Sequence, residues 1–192
     1  MKVFLSILII IFSLQSWAKS DDIKEFSIEG YSIGESLLDY FNDDQINKFK
    51  YPIVRGGKKY YEYHKVDSNS KSETYERIYL YFKTDDPKKI IQAIAGRNYY
   101  PNNINDCYAL QKDIVKDLES IFTKANKQDL GNQKVSSFPD GNSYKNDVSF
   151  YFKDGSMVHT ACYDYSPQDT STQDRLSIAI LSKQYLDWFW SL

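Results

Sequence analysis

The sequence predicts an α+β protein: two tandem αβββ halves whose helices pack on one face of an antiparallel sheet. Three observations carry that expectation. The strand Ile78-Tyr79-Leu80-Tyr81-Phe82-Lys83 recurs as Val148-Ser149-Phe150-Tyr151-Phe152-Lys153, each copy after a helical segment and before an acidic turn and a further strand. Cys107, Leu110, Ile114, Leu118, Ile121 and Phe122 recur at helical spacing, with Lys and Asp opposite them. The chain is also rich in rings, with 17 Tyr, 11 Phe and 3 Trp, which favours a packed core over disorder.

Taken in order, residues 1–18 carry a basic Lys2, an apolar run from Val3 to Leu14, and small residues at Ser16 and Ala18. That pattern fits an export signal cleaved after Ala18, and the run falls short of the roughly 20 residues a bilayer demands. The expected location is therefore periplasmic or secreted, without a stable membrane anchor. Residues 19–100 would form the first half and 101–192 the second. Ser32 to Glu35 fits a capping box, from which Ile33, Leu37, Leu38 and Phe41 would share one helical face. Asn42 to Gln45 is a second capping pattern, opening a short helix through Ile46 and Phe49 that Tyr51-Pro52 ends. Strands are expected over 60–66, 74–83 and 89–98, then the long helix from Cys107 to Phe122. Three further strands are expected at 147–153, 157–165 and 175–181. Ser182 then caps a final short helix whose aromatic face must dock on the body, because so short a peptide is not helical alone.

The chain has two Cys, Cys107 and Cys162, and an oxidising compartment makes a disulfide between them the default. Closing so long a loop is worth roughly 4 kcal/mol in the chain-entropy account. Neither Cys has a second ligand at metal-binding spacing. The net charge of −2, with Lys and Asp scattered throughout, argues against a nucleic-acid partner.

Catalytic signals are thin. Gly34-Glu35-Ser36-Leu37 resembles the opening of the Gly-Asp-Ser-Leu esterases over four residues only. It lacks their preceding hydrophobic strand and a downstream Asp-x-x-His, and it lacks the second Gly of a Gly-x-Ser-x-Gly elbow. Ser36 reads as a helix residue. His64 with Glu62 on one strand face reads as solvated strand polarity, and His159 lies near Asp154 and Asp164 without sharing a face with the latter. No phosphate loop or metal-binding spacing appears, and neither catalysis nor a cofactor is expected.

Alternation assigns the strand faces. Ile78, Leu80 and Phe82 oppose Tyr75, Arg77, Tyr79, Tyr81 and Lys83, while Val148, Phe150 and Phe152 oppose Ser149, Tyr151 and Lys153. A Cys107–Cys162 bond would turn Val158 and Thr160 toward the long helix, and Met157, His159, Tyr163 and Tyr165 away from it. One sheet face, uncovered by helices, would then carry Tyr61, Tyr63, Arg77, Tyr79, Tyr81, Tyr151, His159 and Tyr163 as a candidate binding surface. Tyr and Arg are the residues enriched at interaction hot spots.

The stretch from Ile28 to Phe41, reading Ile-Glu-Gly-Tyr-Ser-Ile-Gly-Glu-Ser-Leu-Leu-Asp-Tyr-Phe, resembles the opening motif of a group of small exported bacterial proteins of uncharacterised function. Asn105-Asp106-Cys107-Tyr108 and Cys162-Tyr163-Asp164 resemble theirs too. The paired halves are similar in architecture to the tandem modules of β-lactamase-inhibitor proteins and outer-membrane small lipoproteins. That likeness is of fold alone, and this chain lacks the lipid-bearing Cys of the latter. The expectation is a non-catalytic interaction module holding an envelope or secreted protein. The alternative is a binder of a glycan or small molecule, and a small hydrolase ranks below both.

Overall fold

A computed structural model describes residues 22–55, 58–66, 74–101, 103–135, 141–168 and 172–191. The proposed export signal at 1–18 lies outside these residues. The described chain is mixed α and β, built on one antiparallel sheet of eight strands. Their order is β3 (Lys50–Arg55), β4 (Lys58–Val66), β5 (Arg77–Lys83), β6 (Ala93–Tyr99), β10 (Arg175–Leu181), β9 (Met157–Asp164), β8 (Tyr144–Tyr151) and β7 (Asn126–Lys134). Two four-stranded meanders thus meet along β6 and β10. A separate hairpin of β1 (Ser27–Ile28) and β2 (Tyr31–Ser32) precedes them. The helices are α1 (Asp43–Phe49), α2 (Ile104–Ile121) and α3 (Lys183–Trp190). Among the described residues no helix is long and apolar enough to cross a membrane.

Each meander has four strands where the sequence predicts three. The two extra strands, β3 and β7, are the sheet's outer edges. Pro52 interrupts the first, and the second is polar except for Leu130, so neither alternates in the way that marks a half-buried strand. The recurring Tyr-Phe-Lys strand motif falls on β5, third in its meander, and on β8, second in its own. The two copies therefore do not occupy equivalent places.

The predicted helix over 33–41 is replaced by a turn and a short 3-10 segment, Leu37–Asp39. Gly34 adopts φ 93°, which no right-handed helix accommodates, so the chain bends there. Glu35 still accepts the Ser32 amide at 3.0 Å, as half of the expected capping box. Asn42 caps α1 with Gln45 in a reciprocal box, and Ser182 accepts the Tyr185 amide to cap α3.

The core lies between the sheet and the layer of α1, α2 and the N-terminal segment. Ile78, Leu80, Phe82, Ile94, Ile178, Ile180, Val148, Phe150 and Val158 project into it, with Leu37, Ile46, Leu118 and Phe122 above them. Helix α2 is tied down near its start. Cys107 and Cys162 are joined across α2 and β9 with Cα atoms 6.0 Å apart, closing a separation of 55 residues. One turn on, buried Gln111 donates to the carbonyls of Asn146 (3.0 Å) and Thr160 (3.1 Å). The covalent tie and this fork leave α2 one way to face the sheet.

Gly96 marks the closest approach in this layer. A Cβ built there would stand 2.7 Å from the Tyr75 ring, far inside van der Waals contact. Gly96→Ala is expected to destabilise the fold by about 1–3 kcal/mol, the usual cost of overpacking. Urea unfolding measures it, and Tyr75→Ala in the same chain should remove most of the penalty. Equal losses in both backgrounds would place the strain elsewhere.

Candidate functional site

The opposite sheet face is where the tyrosines gather. Ladder partners fix its rows. Tyr63, Tyr81, Ala93, Leu181, Met157 and Tyr151 run across it in one line. The next holds Lys65, Tyr79, Ala95, Ala179, His159 and Ser149. The third holds Arg77, Arg97, Ser177, Ala161 and Asp147, and the fourth Tyr99, Arg175, Tyr163 and Lys145. A floor of small side chains therefore lies in the middle, between a Tyr/Arg wall and an Asp/His/Lys wall.

Helix α3 folds back onto one end of this face, so the expectation that helices leave it bare is corrected there. Tyr61 is fully buried, packed on Tyr185 (ring centroids 5.0 Å) and Trp188 (4.7 Å). Tyr81 is half-buried beside Tyr185 at 5.4 Å. Tyr61 thus belongs to a second small core and leaves the candidate surface. Tyr79 is also nearly buried, at 6 % exposure, but under side chains of the face itself: the Arg97 guanidinium lies 4.2 Å from its ring centroid. Tyr63 stacks on Tyr51 at 5.3 Å and remains half-exposed. Arg77 is exposed, and Tyr163 is half-exposed beside Tyr165. Tyr151 is exposed at the far end of its row, away from the cluster.

Sequence reasoning missed Arg97, Tyr99, Arg175, Lys145 and Asp147. The first three sit at the meeting of β6 and β10, a pairing that nothing local in the chain announces. The last two follow from carrying the alternation of Ser149 and Tyr151 back along β8.

Charge is sorted across the face. The Asp147 carboxylate, buried, binds His159 Nε2 at 2.9 Å and Lys145 Nζ at 2.5 Å. Burial alone would raise its pKa, but His159 and Lys145 hold it down to about 2. At the other wall, burial pushes the Tyr79 hydroxyl up, yet the Tyr99 hydroxyl and the Arg97 and Arg77 guanidiniums outweigh it and the net shift is downward. Ser149 Oγ reaches Asp147 at 3.4 Å. The carboxylate therefore stands between serine and histidine, the reverse of a relay in which histidine deprotonates the nucleophile.

The other catalytic candidates fall in structural roles. Ser36 caps the Leu37–Asp39 turn, not a helix interior, and its Oγ donates to the Lys88 carbonyl at 2.6 Å. His64, expected on a solvated strand face, is buried on the helix side against Phe41 at 4.5 Å. Among the described residues no group of His, Cys, Asp and Glu has the arrangement of a metal site.

In comparisons with known proteins, no family model, no curated protein and no solved structure matched the chain. The chemistry of the face must therefore be argued from its own residues.

His64 and Asp147 both contribute to the pH dependence of the fold. Burial holds the His64 imidazole below its ordinary value, with the Ile46 backbone acting the other way. The unfolded chain then binds the extra proton first, so this stability is present above about pH 6.5 and is lost as the pH falls below it. Asp147 contributes above its ordinary 3.8 and loses that contribution as the pH falls toward about 2. Urea unfolding from pH 7.5 to 5.0 should show wild-type stability falling more than that of His64→Phe. In a second series carried from pH 5 down to 2, Asp147→Asn should flatten the stretch below pH 4. Unchanged slopes in either variant contradict the assignment.

Proposed function

We propose that this chain is an exported, non-catalytic interaction module that holds a partner protein on the sheet face opposite α2. The observation that carries the reading is the gathering of large, part-exposed Tyr and Arg side chains on that face around a floor of Ala and Ser. The inner part of the other face packs under α1, α2 and the N-terminal segment. Tyr brings area and a hydrogen-bonding tip with few rotatable bonds, and Arg brings a planar fork of donors, which is the composition of binding hot spots. The disulfide supports an oxidising compartment, periplasmic or extracellular. We read the two meanders as tandem halves joined at β6 and β10, so that the face spans both.

A glycan binder, the alternative from sequence, needs bare ring faces for stacking. Arg97 lies over Tyr79, and Arg175 lies over Tyr163 (4.8 Å) and Tyr165 (5.0 Å). Those faces are already taken, which favours a partner that meets guanidinium edges and tyrosine hydroxyls.

Tyr79 and Tyr81 are unsuitable as a test pair, because truncating a nearly buried ring also costs about 3–5 kcal/mol of stability. Tyr63→Ala with Tyr163→Ala is the better probe, since both rings are half-exposed. In affinity purification from envelope extract, the double variant should lose at least tenfold of the partner captured by the wild type. Its melting temperature should stay within a few degrees. Capture at wild-type level by the folded variant would remove this face as the site.

A further inference from the structure

Three of the chain's four arginines, Arg77, Arg97 and Arg175, meet at one place on this face although they come from β5, β6 and β10. Arg77 and Arg97 are direct ladder partners. Arg175 stands one strand further, diagonal to Arg97 and opposite Tyr99. Like charges set side by side destabilise a sheet, whereas an opposite-charge neighbour would stabilise it. Among the described residues none of the three has an acidic partner within ion-pairing distance. Each guanidinium instead lies on a tyrosine ring: Arg77 on Tyr99 at 5.0 Å, Arg97 on Tyr79 at 4.2 Å and Arg175 on Tyr163 at 4.8 Å. The Nε atoms of Arg97 and Arg175 are buried and make no hydrogen bond. Arg175 spends one donor on Thr172, and Arg77 engages the hydroxyls of Tyr99 and Tyr79, which leaves most of the N–H groups of the row unspent.

We propose that this row is an anion site that receives an acidic segment of the partner protein, with two or more carboxylates seated on the three guanidiniums. The inference rests on the interaction-module reading above and names the chemistry of its partner. A ring under each guanidinium shields one side of it without consuming its N–H donors, which stay available for bidentate contact with planar oxyanions. Lysine, which supplies most of the chain's positive charge, offers no such fork, and arginine is found where the fork would be used. Neighbouring strands are roughly 4.8 Å apart, so the row spans about 10 Å. Alternate side chains of an extended peptide recur at roughly 6.8 Å on one side, a spacing that lets two acids engage the row together.

The test is calorimetric titration of the disulfide-bonded protein with hexaglutamate, beside hexaglutamine, inorganic phosphate and a polyuronate as separate arms. Hexaglutamate should bind, hexaglutamine should not, and affinity should weaken steadily as salt is raised. Arg97→Gln should lower the affinity at least tenfold. Arg97→Lys, which keeps the charge without the fork, should recover only a small part of that loss. Arg77→Gln provides a second variant at an exposed position, and thermal unfolding of both variants guards against loss of fold. Equal binding by wild type and variants, or none at millimolar peptide, overturns the site. Tighter binding of phosphate or polyuronate than of hexaglutamate overturns its assignment to protein carboxylates. The outcome separates from that of the face as a whole. Tyr-dependent partner capture without hexaglutamate binding keeps the module and removes its acidic ligand, whereas Arg-dependent peptide binding without Tyr-dependent capture does the reverse.

Discussion

The seam between β6 and β10 is the constraint on which the rest of the molecule depends. Seven consecutive ladder partners, from Ala93 with Leu181 to Tyr99 with Arg175, convert two four-stranded meanders into one sheet. Each meander alone would expose an unpaired edge, the usual starting point for aggregation. Pairing those inner edges leaves only β3 and β7 outside, and both are blunted. Pro52 and a register shift at Ile53/Val54 interrupt the first, while the second is polar and shifts at Asp129/Gly131. The seam also assembles the Tyr/Arg wall, because Arg97 and Tyr99 come from one meander and Arg175 from the other.

A sheet this broad has two faces, and which one looks inward is settled by side-chain alternation together with the anchoring of α2. Cys107 and Gln111, one helical turn apart, fasten α2 to β9 and β8, and that commits Cys162, Thr160 and Val158 to the core. Their neighbours His159, Ala161 and Tyr163 are then turned outward by pleat geometry alone. The outward face still sequesters most of its small residues, since tall side chains lean over Ala95, Ala179 and Ala161. Its polar groups are consequently held in a partly desolvated layer. There electrostatic effects are larger than on an open surface, as the depressed Asp147 carboxyl illustrates.

What the sequence made legible follows from how local each signal is. Helix α2 shows its apolar spacing, α3 and α1 show their caps, and β5, β9 and β10 show alternation, so each was expected within a few residues. The Cys107–Cys162 pairing follows from there being two cysteines in a chain expected to enter an oxidising compartment. The edge strands are hidden in the sequence because Pro52 interrupts one and the other, exposed on both faces, has no periodicity to display. Gly34 broke an otherwise convincing helical pattern through a single positive φ. Parity places Tyr61 on the open face, as the ladder shows, but cannot foresee its burial, since the docking of α3 is a tertiary event. Arg97 and Arg175 cannot be brought together from spacing, because they lie 78 positions apart in the chain and only the seam joins them.

The placement of charge gives the face a direction. With a net charge of −2, the chain as a whole repels an acidic partner weakly, and that repulsion is relieved only where positive charge is concentrated. The three arginines supply such a patch on one wall, while the opposite wall holds Asp147 paired with Lys145 and in contact with His159 Nε2. A partner bearing carboxylates would thus be drawn to one side of the floor and find no competing cationic centre of equal strength on the other. Oriented encounter of this kind contributes more to association rate and register than to affinity. The tyrosines contribute in a different way. Their rings carry guanidiniums that would otherwise repel one another, and in doing so they keep the donors of the row free, which an internal salt bridge would not.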